Sequence, residues 1–267
     1  MDIAYAVFLG LLEGLTEFLP VSSTGHLILA GHALGMADDA SATFEVFIQL
    51  GAILAVIFCY LKRFLGLLHP SKENAFSGLR GIWLLLLTTI PGALLGLFFH
   101  SAIKSLFSPR SVALALVAGA ACMIATEHWT CKRTSSGIAD SLDKLTWKQA
   151  LGIGMFQCCA LWPGFSRSAS TIMGGLLLGL DKKTAADYSF IAAVPIIIGA
   201  AGYDLVKSLD MLNTSSVLPF CIGTAVSFIS AMAAIRFFIS FLNRNGLTPF
   251  AYYRFFLAAA VYLLMIR

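Results

Sequence analysis

Glu13 and Glu17 stand four residues apart in an otherwise apolar stretch. Helical spacing puts both carboxylates on one face, and at membrane depth such groups face a bundle interior or a cavity rather than lipid. Together they can form a hard-cation site, because oxygen ligands suit Mg²⁺ or Ca²⁺ bridged to phosphate oxygens, or an acid/base pair. The plainer alternative is a pair of neutral acids that close helix packing by hydrogen bonds. Just downstream come Pro20 and the run Ser22-Ser23-Thr24-Gly25-His26. Ser22 and Thr24, taken alone, read as helix N-caps, and Pro with Gly as turn formers. Ser23 and His26 are different. A hydroxyl and an imidazole three residues apart at a helix start can approach each other, as nucleophilic catalysis requires. His32 has no such company and reads as a packed residue.

The segment Pro163-Gly164-Phe165-Ser166-Arg167-Ser168-Ala169-Ser170-Thr171 is the strongest local signal. It sets a guanidinium among small hydroxyls, Ser166, Ser168 and Thr171 included, beside a bend that Gly164 permits. A helix opening there makes an anion site, because its first N–H groups and its dipole favour phosphate. Arg167 can bind phosphate with two parallel hydrogen bonds. The competing reading has Arg167 capping carbonyls or pairing with Glu13 or Glu17. The two are compatible, since an empty phosphate site can hold that ion pair.

The elements that must position these groups are membrane helices. Of 267 residues, 58% are hydrophobic and only 12% charged, too little charge to cover a water-facing surface. Apolar runs near the ~20 residues that cross a bilayer recur along the chain. The net charge of +4 does not argue for nucleic acid, because Lys and Arg fall mainly in short segments between apolar runs, as cytoplasmic loops require. Met1-Asp2-Ile3 lacks the basic stretch of a secretory signal, so the first segment is expected to remain in place. The six cysteines show no zinc spacing and read as small packing residues.

Six full spans are expected, at roughly 43 to 61, 81 to 100, 111 to 128, 185 to 206, 216 to 241 and 249 to 266. Residues 3 to 35 and 149 to 180 differ, each interrupted near its middle by one of the two Pro-containing polar patches. They read as re-entrant hairpins of two short helices. Lys62, Arg63, Lys72 and Arg80 mark one loop as cytoplasmic, and Lys132, Arg133, Lys144 and Lys148 mark another two spans later, so both loops belong on one side. Lys182 and Lys183 put the second hairpin on that side, and span counting puts the first on the other. At an offset of 144 residues Gly10 falls on Gly154, Glu13 on Gln157, Ser22 on Ser166 and Ser23 on Arg167. The expected architecture is one all-α membrane domain with an inverted-topology repeat, its halves about 1–130 and 147–267, and the bends meeting near the midplane to line a wet cavity. Glu45 and Asp187 are expected to pair with the hairpins, Arg236 and Arg254 to snorkel toward span ends, and Tyr252 and Tyr253 to anchor at the interface.

The stretches Glu13 to His26 and Leu161 to Thr171 resemble the two signature blocks of the undecaprenyl-diphosphate phosphatase family associated with bacitracin resistance. Phe44-Glu45-Val46 with Ile48-Gln49-Leu50-Gly51 is similar to a third block, and the resemblance covers essentially the whole chain in length and span order. It implies hydrolysis of undecaprenyl diphosphate to undecaprenyl phosphate and inorganic phosphate, recycling the lipid carrier of peptidoglycan synthesis and conferring bacitracin resistance. It also implies a divalent cation, a place in the bacterial inner membrane and a site opening on the periplasmic side. By resemblance the family's acidic motif falls on Glu13 and Glu17, its serine and histidine on Ser23 and His26, and its Pro-Gly-Ser-Arg motif on Pro163, Gly164, Ser166 and Arg167. The residues by themselves reach a phosphate cavity; the polyprenyl lipid comes from the resemblance alone. A homodimer is one assembly open to it.

The expected mechanism is largely electrostatic. Arg167, the second bend and a cation on Glu13 and Glu17 neutralise the diphosphate, Ser23 attacks the terminal phosphorus, and His26 or Glu17 takes its proton. Attack by a cation-activated water, with Ser23 and its neighbours Ser22 and Thr24 only binding substrate, is the alternative. The rival from another class is a transporter or flippase of polyprenyl phosphate using the same cavity. The Ser23, His26 and carboxylate grouping argues against it, because binding alone does not need it.

Overall fold

The computed structural model describes residues 2–35, 39–71, 74–131, 138–208 and 217–266, without the side chains of 39–42 and 204–208. In chain order the helices are α1 (Ile3–Thr16), α2 (Ser23–Leu34), α3 (Asp39–Cys59), α4 (Leu61–Leu68), α5 (Gly78–Phe98), α6 (His100–Ser105), α7 (Pro109–Thr130), α8 (Trp147–Gln157), α9 (Arg167–Leu177), α10 (Lys182–Ser208), α11 (Val217–Asn245) and α12 (Thr248–Met265). The sole β-bridge among the described residues joins Ala139 to Leu180. Five helices, α5, α7, α10, α11 and α12, are long and apolar enough to cross a membrane, and the pair α3/α4, bent by 79°, makes a sixth. Their outward faces carry Leu79, Phe98 and Phe256, exposed by 85%, 80% and 77%. So much apolar surface is tolerable only against lipid. The protein is an all-α polytopic membrane protein, with five of the six expected spans as unbroken helices and the first, expected at 43 to 61, lying in the bent pair α3/α4.

Both interrupted stretches break where the sequence says they should. The first helix of each pair ends before the Pro-containing patch, and α2 and α9 then start at Ser23 and Arg167. Packing between the halves is crosswise: α1 lies along α11, and α8 along α5. Two glycines at the 144-residue offset permit these approaches. A Cβ on Gly10 would run into the carbonyl of Gly223, and one on Gly154 would meet that of Thr88 at 2.7 Å.

The loops expected on one face do lie together. Arg63 pairs with Asp143 at 3.2 Å, the Phe76 amide donates to the same carboxylate at 2.7 Å, and Arg80 donates to the Leu145 carbonyl at 2.8 Å. Glu127 at the end of α7 accepts from the Thr248 amide at 2.7 Å, capping α12, and pairs with Lys182 at 3.6 Å. Lys72, Lys132 and Arg133 lie outside the described residues. Partial burial works against charge on Asp143, but the Phe76 amide, Arg63 and Ser141 outweigh it and hold its pKa below the ordinary value. One expectation fails: Cys122, Cys131, Cys159 and Cys221 are exposed rather than packed, because an apolar run in lipid has an outward face as well as an inward one.

A chain of aromatic rings packs against the first bend. Phe18 meets Phe190 of α10 at 5.4 Å between ring centroids, Phe190 meets Phe238 of α11 at 5.8 Å, and Phe238 meets Phe250 of α12 at 5.3 Å. These contacts, edge-to-face or tilted as ring quadrupoles favour, brace the bend against three spans.

Candidate active site

Two serines set the bends. Ser22 has φ +72° and Ser166 φ +77°, the only described non-glycine residues with positive φ. A side chain there is strained, and such strain gathers at functional sites. Each accepts from the amide three residues on, Ser22 from Gly25 at 3.2 Å and Ser166 from Ala169 at 3.3 Å. Both therefore act as the N-caps that hold α2 and α9. Gly164 bends at φ +97°, and a Cβ there would meet the Val112 carbonyl at 2.7 Å.

These caps bring residues far apart in sequence into one cluster. Glu17 Oε1 pairs with Arg167 Nη2 at 3.2 Å, both side chains almost fully buried. Ser23 Oγ donates to Glu17 Oε2 at 2.7 Å. Arg167 Nη1 donates to the Ser189 carbonyl at 3.0 Å, and its guanidinium stands 5.8 Å from the Phe18 ring centre. Ser168 Oγ donates to the Leu19 carbonyl at 2.9 Å, tying bend to bend, and Thr171 Oγ1 lies 2.7 Å from Ser189 Oγ. Ser23, Thr24 and Ser166 are only partly covered, so the cluster has an open side.

Three buried atoms within the described residues have no hydrogen-bond partner: Glu13 Oε2, Gln157 Oε1 and Arg167 Nε. Orphaned buried groups are rare and mark places where an ion, water or ligand belongs. Two of the three sit at the repeat-related positions 13 and 157. Glu17, Glu45 and Arg167 lie within electrostatic range of Glu13. Asp187 instead accepts from Tyr60 at 2.5 Å.

The expected approach of Ser23 to His26 is not formed. His26 Nδ1 lies 2.7 Å from the Ser22 carbonyl and Nε2 lies 2.7 Å from Tyr253 Oη, so both ring nitrogens are committed. The first turn of α2 points the imidazole back at its own cap, while Ser23 faces α1. A carbonyl can only accept, so Nδ1 carries a proton and neutral His26 accepts from Tyr253 through Nε2. The two rings stack at 5.6 Å.

Two residues of α12 correct the sequence reading. Tyr253 is a partner of His26 rather than only an interfacial anchor. Arg254 does not snorkel: it is 0% exposed and donates to the carbonyls of Gly164 and Phe165, both at 2.8 Å. Its position within an apolar span was the available signal, because intramembrane cations are costly and functional by default.

Fold and site together define a membrane-embedded protein with a buried acid, arginine and hydroxyl cluster at the junction of two broken-helix pairs. The chain belongs to the bacitracin resistance protein BacA family, whose model matches residues 6–260. It is 53% identical over 263 residues to the undecaprenyl-diphosphatase of Desulfovibrio desulfuricans, covering 98% of each chain. Identity to the undecaprenyl-diphosphatase of Nitratidesulfovibrio vulgaris strain DP4 is 54% over 265 residues, 99% of this chain and 98% of the relative. That of Maridesulfovibrio salexigens is 54% identical over 257 residues, 96% of each.

Proposed function

We propose that this chain is an undecaprenyl-diphosphatase of the bacterial inner membrane, releasing inorganic phosphate from the diphosphate of a polyprenyl lipid. The observation that carries this reading is the double contact at Glu17, which holds Arg167 by one carboxylate oxygen and Ser23 by the other. Pure binding of a lipid phosphate has no use for a carboxylate positioned to deprotonate a hydroxyl. Two apolar clefts of about 500 and 470 Å³ meet at His26 and offer room for part of a polyprenyl tail.

Arg167 exchanges its contact with Glu17 for the terminal phosphate, helped by Nε and by the first amides of α9. Glu17 Oε2 already accepts the Ser23 hydroxyl at 2.7 Å and is placed to take its proton. Ser23 Oγ then bonds to the terminal phosphorus as the bridging P–O bond breaks, and the lipid leaves as its monophosphate. Water hydrolyses the phosphoserine in a second step and returns the proton to Oγ, with Glu17 taking and giving protons throughout. His26, with both nitrogens engaged, orients the Ser22 cap rather than acting as base. The hydroxyls of Ser166, Ser168 and Thr171 shape the anion pocket, with Ser22 and Thr24 on the facing bend.

The acidic pair fits a divalent cation. Glu13 Oε2 is buried and unpartnered, and two carboxylates completed by phosphate oxygens and water are a Mg²⁺-like set, with Ca²⁺ also served by oxygen ligands. Glu13 and Glu17 would hold it, and when bound it supplies charge neutralisation at the phosphates.

The two halves form an inverted repeat, on the support of matched caps at Ser22 and Ser166 and matched glycines at positions 10 and 154. The hairpins enter from opposite faces, and the site opens to the periplasmic side. The test is phosphate release from a long-chain polyprenyl diphosphate by detergent-purified protein, with and without chelator, beside Arg167→Ala. Release that needs the cation and is lost in the variant is expected. No release from folded wild-type protein would return the choice to a lipid-phosphate carrier.

A further inference from the structure

The guanidinium of Arg254 is saturated. Its Nε donates to Leu116 at 3.3 Å, Nη1 to Phe165 at 2.8 Å and Pro20 at 3.4 Å, and Nη2 to Gly164 at 2.8 Å and Ala115 at 3.2 Å, all five backbone carbonyls, with the Met123 sulfur a longer contact of Nη1 at 3.9 Å. A guanidinium has five N–H protons, and each finds a separate carbonyl. The acceptors belong to three places: α7, the first bend just before Ser22, and the second bend just before Ser166. Gly119 of α7 leaves the notch in which the guanidinium sits, since a Cβ there would collide with it. No carboxylate pairs with Arg254 among the described residues, so neutral acceptors, chiefly carbonyl dipoles, compensate a cation at membrane depth. Packing alone would be served at lower cost by a neutral side chain.

We infer that Arg254 is a positioning residue: it holds the two bends at the separation that aligns Ser23 and Glu17 with a phosphate on Arg167. The inference rests on the phosphatase reading of that cluster. Arg254 touches none of the reacting groups and acts through Pro20, Gly164 and Phe165. Ser168, which ties the bends from the other side through Leu19, is its natural complement. Because the two bends come from opposite halves of the chain, a small slip between them moves nucleophile and anion clamp apart together.

The experiment compares wild type with Arg254→Lys, and with Gly119→Ala, which crowds the guanidinium without removing its charge. A lysine brings three donors from one nitrogen and cannot span carbonyls on both bends. The expected result is a fall in kcat on the order of 10²-fold, the cost of roughly an ångström of misplacement, with KM little changed and elution and melting near wild type. Spin labels at Thr24 and Leu161, one beside each bend, should show a broadened distance distribution in the variants by pulsed electron resonance. Unchanged kcat, or a lowered melting temperature with normal kcat in whichever variant folds, would overturn the inference. If wild type releases no phosphate yet the distance broadens, the clamp stands and the phosphatase reading falls. An unbroadened distance sinks the clamp whatever the activity.

Discussion

Replacing Glu17 by Gln separates what the buried ion pair does for stability from what it does for chemistry. The amide is nearly isosteric, but it has one acceptor oxygen where the carboxylate has two, and both are in use, toward Arg167 at 3.2 Å and Ser23 at 2.7 Å. Either Ser23 loses its acceptor or Arg167 faces an NH₂ group. The pair is almost fully buried, with side-chain exposures of 12% and 7%, so removing one partner leaves a cation in a poorly solvated place at a cost of about 3–5 kcal/mol. For a chain of this size that is roughly 6–20 °C in melting temperature. Removing the charge from both sides, in Glu17→Gln with Arg167→Met, should recover much of that loss, because no uncompensated charge remains. Activity should not recover. Loss of the proton acceptor alone costs about 10²–10⁴-fold in turnover, and loss of the phosphate clamp adds to it. The assays are thermal melting in detergent and phosphate release on the same preparations. A single variant that melts like wild type, or a double variant no more stable than the single, would refute the claim that the buried pair contributes to stability through charge.

Ser23→Ala should abolish turnover while leaving Arg167-dependent lipid binding intact; activity close to wild type would mean that water attacks directly. Gly10→Ala and Gly154→Ala should each cost about 1–3 kcal/mol or more in melting assays, because the added carbon meets a carbonyl on α11 or α5 with no side chain free to yield. Should either substitution prove silent, the crosswise packing of α1 on α11 and α8 on α5 is wrong. Asp143 has a depressed pKa when folded, so its stabilisation is present above the ordinary carboxylate value of about 4 and is lost as pH falls through the lower folded value. Melting temperature should therefore drop in that acid range in wild type and be lower but flatter in Asp143→Asn.

Helix placement and the two interruptions were legible because they rest on local rules: apolar runs of membrane length, and Pro with clustered hydroxyls where a helix must restart. The pairing of Glu17 with Arg167 was legible only as one of several options, since sequence gives the charge of each group but not which buried carboxylate the fold brings within reach of the guanidinium. The assignment of His26 to Ser23 failed for a local reason. Spacing allows residues three apart to meet, but a cap with positive φ turns its carbonyl toward the imidazole, and that backbone geometry has no signature in residue types. Arg254 was misplaced because distance from a span end was read from sequence position, when the partners that draw it inward are carbonyls of two distant bends and of α7.

That last error points to how the site is built. A cluster assembled from two broken helices has unpaired backbone groups at its centre, and lipid satisfies none of them. The molecule meets the need with side chains whose reach matches each gap. Serine hydroxyls cap the amides that open α2 and α9, and one arginine from a third element takes the carbonyls that precede both caps. Arg167 is thereby left with an unpartnered Nε and a single carboxylate contact, while Arg254 has every proton committed. One buried arginine is free to trade partners for a phosphate; the other, by its saturation, keeps the frame in which that exchange can happen.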